Sequence, residues 1–253
     1  MLRRAFNASA ALFLGALALA SCVPEGPPTA DRAPPAASPR ASKPAPAAPN
    51  AAVTASGPLI TAPFEDNFER KELGEDWNAL GPAWRIENGR LCARGARNRG
   101  IWLRRRLPVN ARIELDAYAE SPTGDLKIEI WGDGQSGATG TSYTNATSYI
   151  AILGGWKNTK HVLARLNEHG EDRLELDVDP KSDDERERPV AAGQAYRFRV
   201  ERGDERTVVW SVNGEEYFEL RDDEPLAGAG HEHLGFNDWE APVCFDNLKI
   251  TPL

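Results

Sequence analysis

Residues 111–131 read ARIELDAYAESPTGDLKIEIW. Ile113, Leu115, Ala117 and Ala119 alternate with Glu114, Asp116, Tyr118 and Glu120, the period of two expected of a strand with one buried face. Asp125–Trp131 alternates in the same way, and Ser121-Pro122-Thr123-Gly124 between them has turn composition. Read as a hairpin, the pair sets Glu120 opposite Asp125, Tyr118 opposite Lys127, Asp116 opposite Glu129 and Glu114 opposite Trp131, all eight on one face. Asp116 and Glu129 would then hold their Cβ atoms ~5 Å apart, a like-charge contact that needs a cation, a ligand or a shared proton to relieve it. The competing reading is a solvated outer face on which Lys127 absorbs the charge.

Short alternating runs of this kind recur from Trp84 to Thr251, at 84–87, 99–106, 147–153, 161–166, 173–178, 196–201, 207–212, 216–220, 233–237 and 243–251. Gly, Pro, Asn and Asp separate them. Asn88-Gly89 and Asn213-Gly214 each sit between strand-like runs, the strongest short hairpin signal. Only Glu69–Asp76 offers a helix, and it is weak. The expectation is an all-β domain, a two-sheet antiparallel β-sandwich over 64–253.

Upstream the composition changes. Arg3 and Arg4 precede an apolar run, Ala10–Ala20, too short to cross ~30 Å of hydrocarbon, so residues 1–21 read as a signal peptide. Residues 22–63 follow as a Pro- and Ala-rich linker holding 11 of the chain's 19 prolines, with too little apolar surface to form a core. Polyproline II at ~3.1 Å per residue makes such a segment a long spacer. The closing Leu19-Ala20-Ser21-Cys22 resembles the bacterial lipobox, which implies lipidation of Cys22 and a membrane anchor. Val23 stands where aspartate would signal inner-membrane retention, so the resemblance implies the outer membrane. Net charge is −8 over 253 residues, which argues against a nucleic-acid partner.

Phe64-Glu65-Asp66-Asn67-Phe68 with Trp77, then Trp84-Arg85-Ile86-Glu87-Asn88-Gly89-Arg90-Leu91, and the closing Val243-Cys244-Phe245-Asp246-Asn247-Leu248-Lys249-Ile250 together resemble the concanavalin A-like lectin/glucanase jelly roll. The same ends are similar to the sandwich domain of the 3-keto-disaccharide hydrolase-like family. The resemblance implies that the first and last strands lie together and that one concave sheet binds glycans. It also implies a structural Ca²⁺ held by Asp246, the Gly89 carbonyl and a group from Phe64–Asp66, with oxygen ligands that suit calcium. Against this, Asp246 and Asn247 read equally as residues that turn the final strand. Glu114-Leu115-Asp116 and Glu120 faintly resemble the acidic strand motif of laminarinase-type glucanases, but six residues of extended strand, roughly 20 Å, separate the two glutamates, too far to flank one bond.

A saccharide surface is therefore expected from Glu114, Tyr118, Trp131, Tyr143, Trp156 and Asn158. The Gly155-Trp156 turn would present an indole to a pyranose face beside the Asn158 amide, unless Trp156 folds back as a core plug. The main reading is a lectin-like envelope module that binds carbohydrate. One alternative is hydrolysis of a glycoside or keto-sugar by Asp116 and Glu129, with one protonated as general acid. Another is a structural module that contacts other proteins.

His231 and His233 share a strand face at metal-capable spacing, and only His161 or His169 offers a third nitrogen, so zinc reads weakly against a glycine-flanked loop. Cys92 and Cys244 form either a disulfide or two separate buried thiols. Gly132–Gly137 matches G-x-G-x-x-G but opens no helix, and is read as a turn. Lys181–Arg188 mixes charges as a solvated loop does.

Overall fold

The computed structural model describes residues 57–253. The signal segment 1–21, Cys22 and linker residues 23–56 lie outside the described residues. Residues 57–63, assigned to the linker by composition, are placed on the domain. Ile60 is buried and its N–H donates to the Arg106 carbonyl at 2.9 Å, while Arg106 Nε donates to Gly57 O at 3.0 Å.

From Phe64 onward the chain is two antiparallel sheets. The first is ordered β13 (Glu215–Arg221), β12 (Thr207–Val212), β11 (Ala195–Arg202), β6 (Ala111–Ala119), β15 (Pro242–Pro252), β4 (Arg90–Arg94) and β3 (Arg85–Glu87). Its eighth strand, β1 (Phe64–Asp66), pairs with β15, so first and last strands adjoin with Phe64 opposite Ile250. The second, seven-stranded sheet runs β10 (Leu174–Asp177), β9 (Lys160–Arg165), β8 (Tyr149–Gly154), β7 (Leu126–Gly132), β14 (His233–Asn237), β5 (Ile101–Leu103) and β2 (Trp77–Ala79).

The apolar residues of β6 and those of β7 meet in one core between the sheets. Both Asn-Gly pairs turn hairpins as the sequence predicts. Asn88 and Gly89 lie at φ 50° and 73°, and Asn213 and Gly214 at φ 54° and 92°, the left-handed pairs that a tight hairpin of this twist requires.

Two local expectations fail for physical reasons. Residues 69–76 form turns, not a helix. Phe68 is left-handed and fully buried, and the Arg70 guanidinium binds the carbonyls of Glu72 and Leu73 together with the Asp66 carboxylate. The larger correction concerns 111–131. The two strands do not pair with each other, because Gly124 and Asp125, at φ 68° and 66°, carry the chain across from one sheet to the other. Asp116 consequently lies opposite Arg197 and Asp246, and Glu129 opposite Ile150 and Gly235. The like-charge contact that a hairpin would create does not arise.

Candidate functional site

The separation dissolves the predicted acidic pair. Glu114, Asp116 and Tyr118 stand on the outer face of the eight-stranded sheet, where Asp116 accepts from Arg197 (3.3 Å) and Asn247 (2.8 Å). Glu114 sits 3.9 Å from Arg197, and the Arg90 guanidinium lies 3.9 Å over the Tyr118 ring. Most charges on that face are paired with opposite ones, although Asp116 also stands opposite Asp246. Trp131 is not on any outer face. It is the extra residue of a bulge opposite His233 and Leu234, and its φ of 55° turns the indole into the core, where Nε1 donates to Pro108 O and Arg202 covers the ring at 3.7 Å. A bulge of this kind reverses the side that simple alternation assigns.

Glu129 projects from the opposite sheet, on a face shared with Lys127, Trp102, Gly235, Asn237, Ile150 and Ile152. The long connection 133–148 covers this face. Its anchor is Tyr143, fully buried, whose hydroxyl donates to Glu129 Oε2 at 2.8 Å beside Ser148 Oγ (2.7 Å), while Asn237 Nδ2 donates to Oε1 at 2.6 Å. Burial raises the Glu129 pKa to about 7 against those three donors. Ile150, Ile152, Val162 and Ala164 close around Tyr143 as a second small core. Tyr143 is thus a plug that seals the face, not a surface for sugar.

Beside the plug the molecule opens. A cleft of about 640 Å³ is lined by Trp156, Lys157, Trp239, Asn98, Asp125 and Glu168, with the hydroxyl-bearing loops around Thr123 and Ser142. Its buried part is a charged cluster. Lys127 Nζ donates to Asn98 Oδ1 (2.8 Å) and Glu168 Oε2 (2.9 Å) and lies 3.8 Å from Asp125 Oδ1, while Asp125 Oδ2 accepts the Trp239 N–H at 2.6 Å. Burial alone would lower the Lys127 pKa, but the Asp125 and Glu168 charges raise it above its ordinary value. Burial raises Asp125. Behind them Asp238 is fully buried, with Oδ1 unpartnered, and its burial raises the pKa to about 7.

The walls are two half-exposed indoles. Trp156 sits with Lys157 and Asn158 in a left-handed turn (φ 50°, 60° and 64°), entered through Gly154 at φ 71°. Asn158 does not face a ligand. Its Oδ1 accepts the Val190 N–H and its Nδ2 donates to the carbonyls of Val190 and Pro122, so its amide clamps three loops together. Arg173 lies 4.8 Å over the Trp156 ring and Arg97 lies 4.9 Å over Trp239. Each guanidinium fixes an indole from one side. Asn98 and Asp125 are left-handed too, so four non-glycine residues in this lining adopt a conformation that side chains seldom tolerate, and such strain gathers at functional sites. Of the residues the sequence predicted for sugar contact, only Trp156 lines the cleft. Trp239, Asn98, Asp125 and Glu168 come from separate loops with no shared motif, and an indole in the polar run Asn237–Glu240 was the one readable sign.

The remaining predicted groups fall elsewhere. Cys92 and Cys244 face each other across β4 and β15 and are joined by a disulfide. The residues expected to hold calcium each have protein neighbours. Asp66 is taken up by Arg70, Trp77 and the Phe68 N–H, Asp246 accepts the Asn247 N–H and has Arg90 at 3.8 Å, and the Glu69 carboxylate lies over Gly89. Among the described residues no three His, Cys, Asp or Glu side chains converge as a metal site. His231 and His233 each bond a backbone carbonyl through Nδ1, those of Thr147 and Leu103, and among the described residues no third ligand converges with them.

No protein-family model matches the chain, and no curated protein sequence matches it. Solved structures do. The carbohydrate binding module CBM66 from Bacillus subtilis aligns at 13% identity and a TM-score of 0.50, over 70% of this chain and 97% of that one. The carbohydrate recognition domain of Emp46p aligns at 12% identity and TM-score 0.50, over 73% of this chain and 94% of that one. A structure reported with endo-acting O-glycanases of the human gut microbiota aligns at 15% identity and TM-score 0.50, over 75% of this chain and 98% of that one. At such identities the likeness speaks for architecture alone, and the architecture is a two-sheet antiparallel jelly-roll β-sandwich.

Proposed function

We propose that this chain is a carbohydrate-binding module of the bacterial cell envelope, tethered by lipid on Cys22 at the outer membrane, which holds saccharide in the cleft between Trp156 and Trp239. One observation carries the reading: two indoles, each braced on one side by an arginine, line a largely apolar cleft beside a buried, hydrogen-bonded cluster of Lys127, Asn98, Asp125 and Glu168. Indole surface covers the apolar side of a pyranose, and hydroxyls meet the carboxylate and amide oxygens below it. The sandwich neighbours whose names refer to carbohydrate recognition support the same class. Hydrolysis by Asp116 and Glu129 is no part of the proposal, since the two sit in different sheets.

The test is a glycan array read with the full chain and with Trp156→Ala and Trp239→Ala. Saccharide binding lost in both variants, with no sugar released from the bound glycan, supports the module. Binding that survives both substitutions refutes the cleft as its seat.

A further inference from the structure

The cleft has a sign. Asp125 and Glu168 are 9% and 8% exposed and contribute to its lining. The one buried ammonium beside them, Lys127, is 1% exposed and spends its bonds on Asn98 and Glu168.

The cations nearer solvent are also committed. Arg97 pairs with Glu240 at 2.9 Å, and Arg173 pairs with Glu175 at 2.8 Å while its Nη1 donates to the Glu168 carbonyl. Lys157 remains, exposed at the rim where water screens it. A ligand entering this space therefore meets oxygen acceptors backed by negative charge. Hydroxyl donors satisfy such acceptors, whereas an added anion meets like charge in a setting where repulsion is weakly screened.

Resting on the saccharide reading above, we infer that the cleft takes uncharged, hydroxyl-rich saccharides and rejects glycans that carry carboxylate or sulfate there. The chain's overall negative charge repels anions as well, but that long-range effect fades within a Debye length of ~8 Å at physiological salt and less at higher salt, whereas the buried carboxylates act at contact.

The experiment uses matched oligosaccharides that differ only in oxidation of C6 to a carboxylate, titrated calorimetrically at 0.15 M and 0.5 M salt. The neutral member of a binding pair is expected to bind at least tenfold more tightly at both salts. Glu168→Gln, and in parallel Asp125→Asn in case one variant fails to fold by near-UV circular dichroism, should narrow that gap at least threefold. Equal or tighter binding of the carboxylated member, or a gap that vanishes at 0.5 M salt, overturns the selectivity while leaving saccharide binding intact. If neither member of any pair binds, the saccharide reading itself fails, and the selectivity with it.

Discussion

Replacing Lys127 with methionine removes the only ammonium from the buried cluster and keeps an unbranched chain of similar length. Lys127 is 1% exposed, with Asn98 Oδ1 at 2.8 Å, Glu168 Oε2 at 2.9 Å and Asp125 Oδ1 at 3.8 Å. After the change those oxygens keep no cation, and breaking a buried pair by deleting one partner costs about 3–5 kcal/mol, because the surviving charge is left unpaired. For a domain of this size each kcal/mol moves Tm by about 2–4 °C, so a fall of roughly 6–20 °C is expected. The defect should shrink at pH 5 compared with pH 7.5, since protonation of the stranded carboxylates removes the charge that causes it. Lys127→Met combined with Glu168→Gln should sit closer to wild type than Lys127→Met alone. Urea unfolding at the two pH values measures all three. A loss under about 1 kcal/mol, or one equal at both pH values, would show that the cluster is not charged as argued here.

Three further outcomes follow from the same geometry. Trp156→Ala should weaken saccharide binding by about 30-fold, near 2 kcal/mol, with little change in Tm because the ring is half-exposed; calorimetric titration and a thermal melt check both halves. Glu129 titrates at about 7 in the fold and near 4.5 when free, so the folded state keeps a proton the unfolded chain has lost, and stability falls as pH rises through that window by roughly 3 kcal/mol. His161, lowered to about 4 by burial, acts with the opposite sign below pH 6.5, so the readout is the difference between wild type and Glu129→Gln, which should have the flatter fall from pH 5 to 7.5. Replacing Cys92 and Cys244 together by alanine opens a link between residues 152 apart and should cost about 2–5 kcal/mol in denaturant unfolding.

The layers of this molecule were legible where a rule is local. Alternation placed β6 and β7, and two Asn-Gly pairs placed their hairpins. The resemblance of the chain ends to known sandwiches placed β1 beside β15. What alternation cannot say is which sheet a strand joins. The short connection after Glu120 has the composition of a hairpin, yet Gly124 and Asp125 use it to cross between layers, and a single bulge at Trp131 then turns an expected surface indole inward.

The site was less legible for a related reason. Glu129 was expected opposite Asp116 and Tyr143 on a saccharide surface, yet the two bond each other, because the 133–148 connection folds over the face they occupy. The cleft takes Asn98, Asp125, Glu168 and Trp239 from four loops spread over some 140 residues, and no spacing rule links them. Beyond the indole in the polar run Asn237–Glu240, Trp156 alone carried a local signal, an indole after two glycines in a turn.

The most direct test is the response of the seven indole N–H signals to added saccharide, followed by ¹H–¹⁵N correlation spectroscopy on the assigned protein. The signals of Trp156 and Trp239 should shift in saturable fashion, with Trp77, Trp84, Trp102, Trp131 and Trp210 unmoved in the core. Saturable shifts confined to other indoles, or none from any saccharide across a broad panel, would contradict the assignment of the cleft.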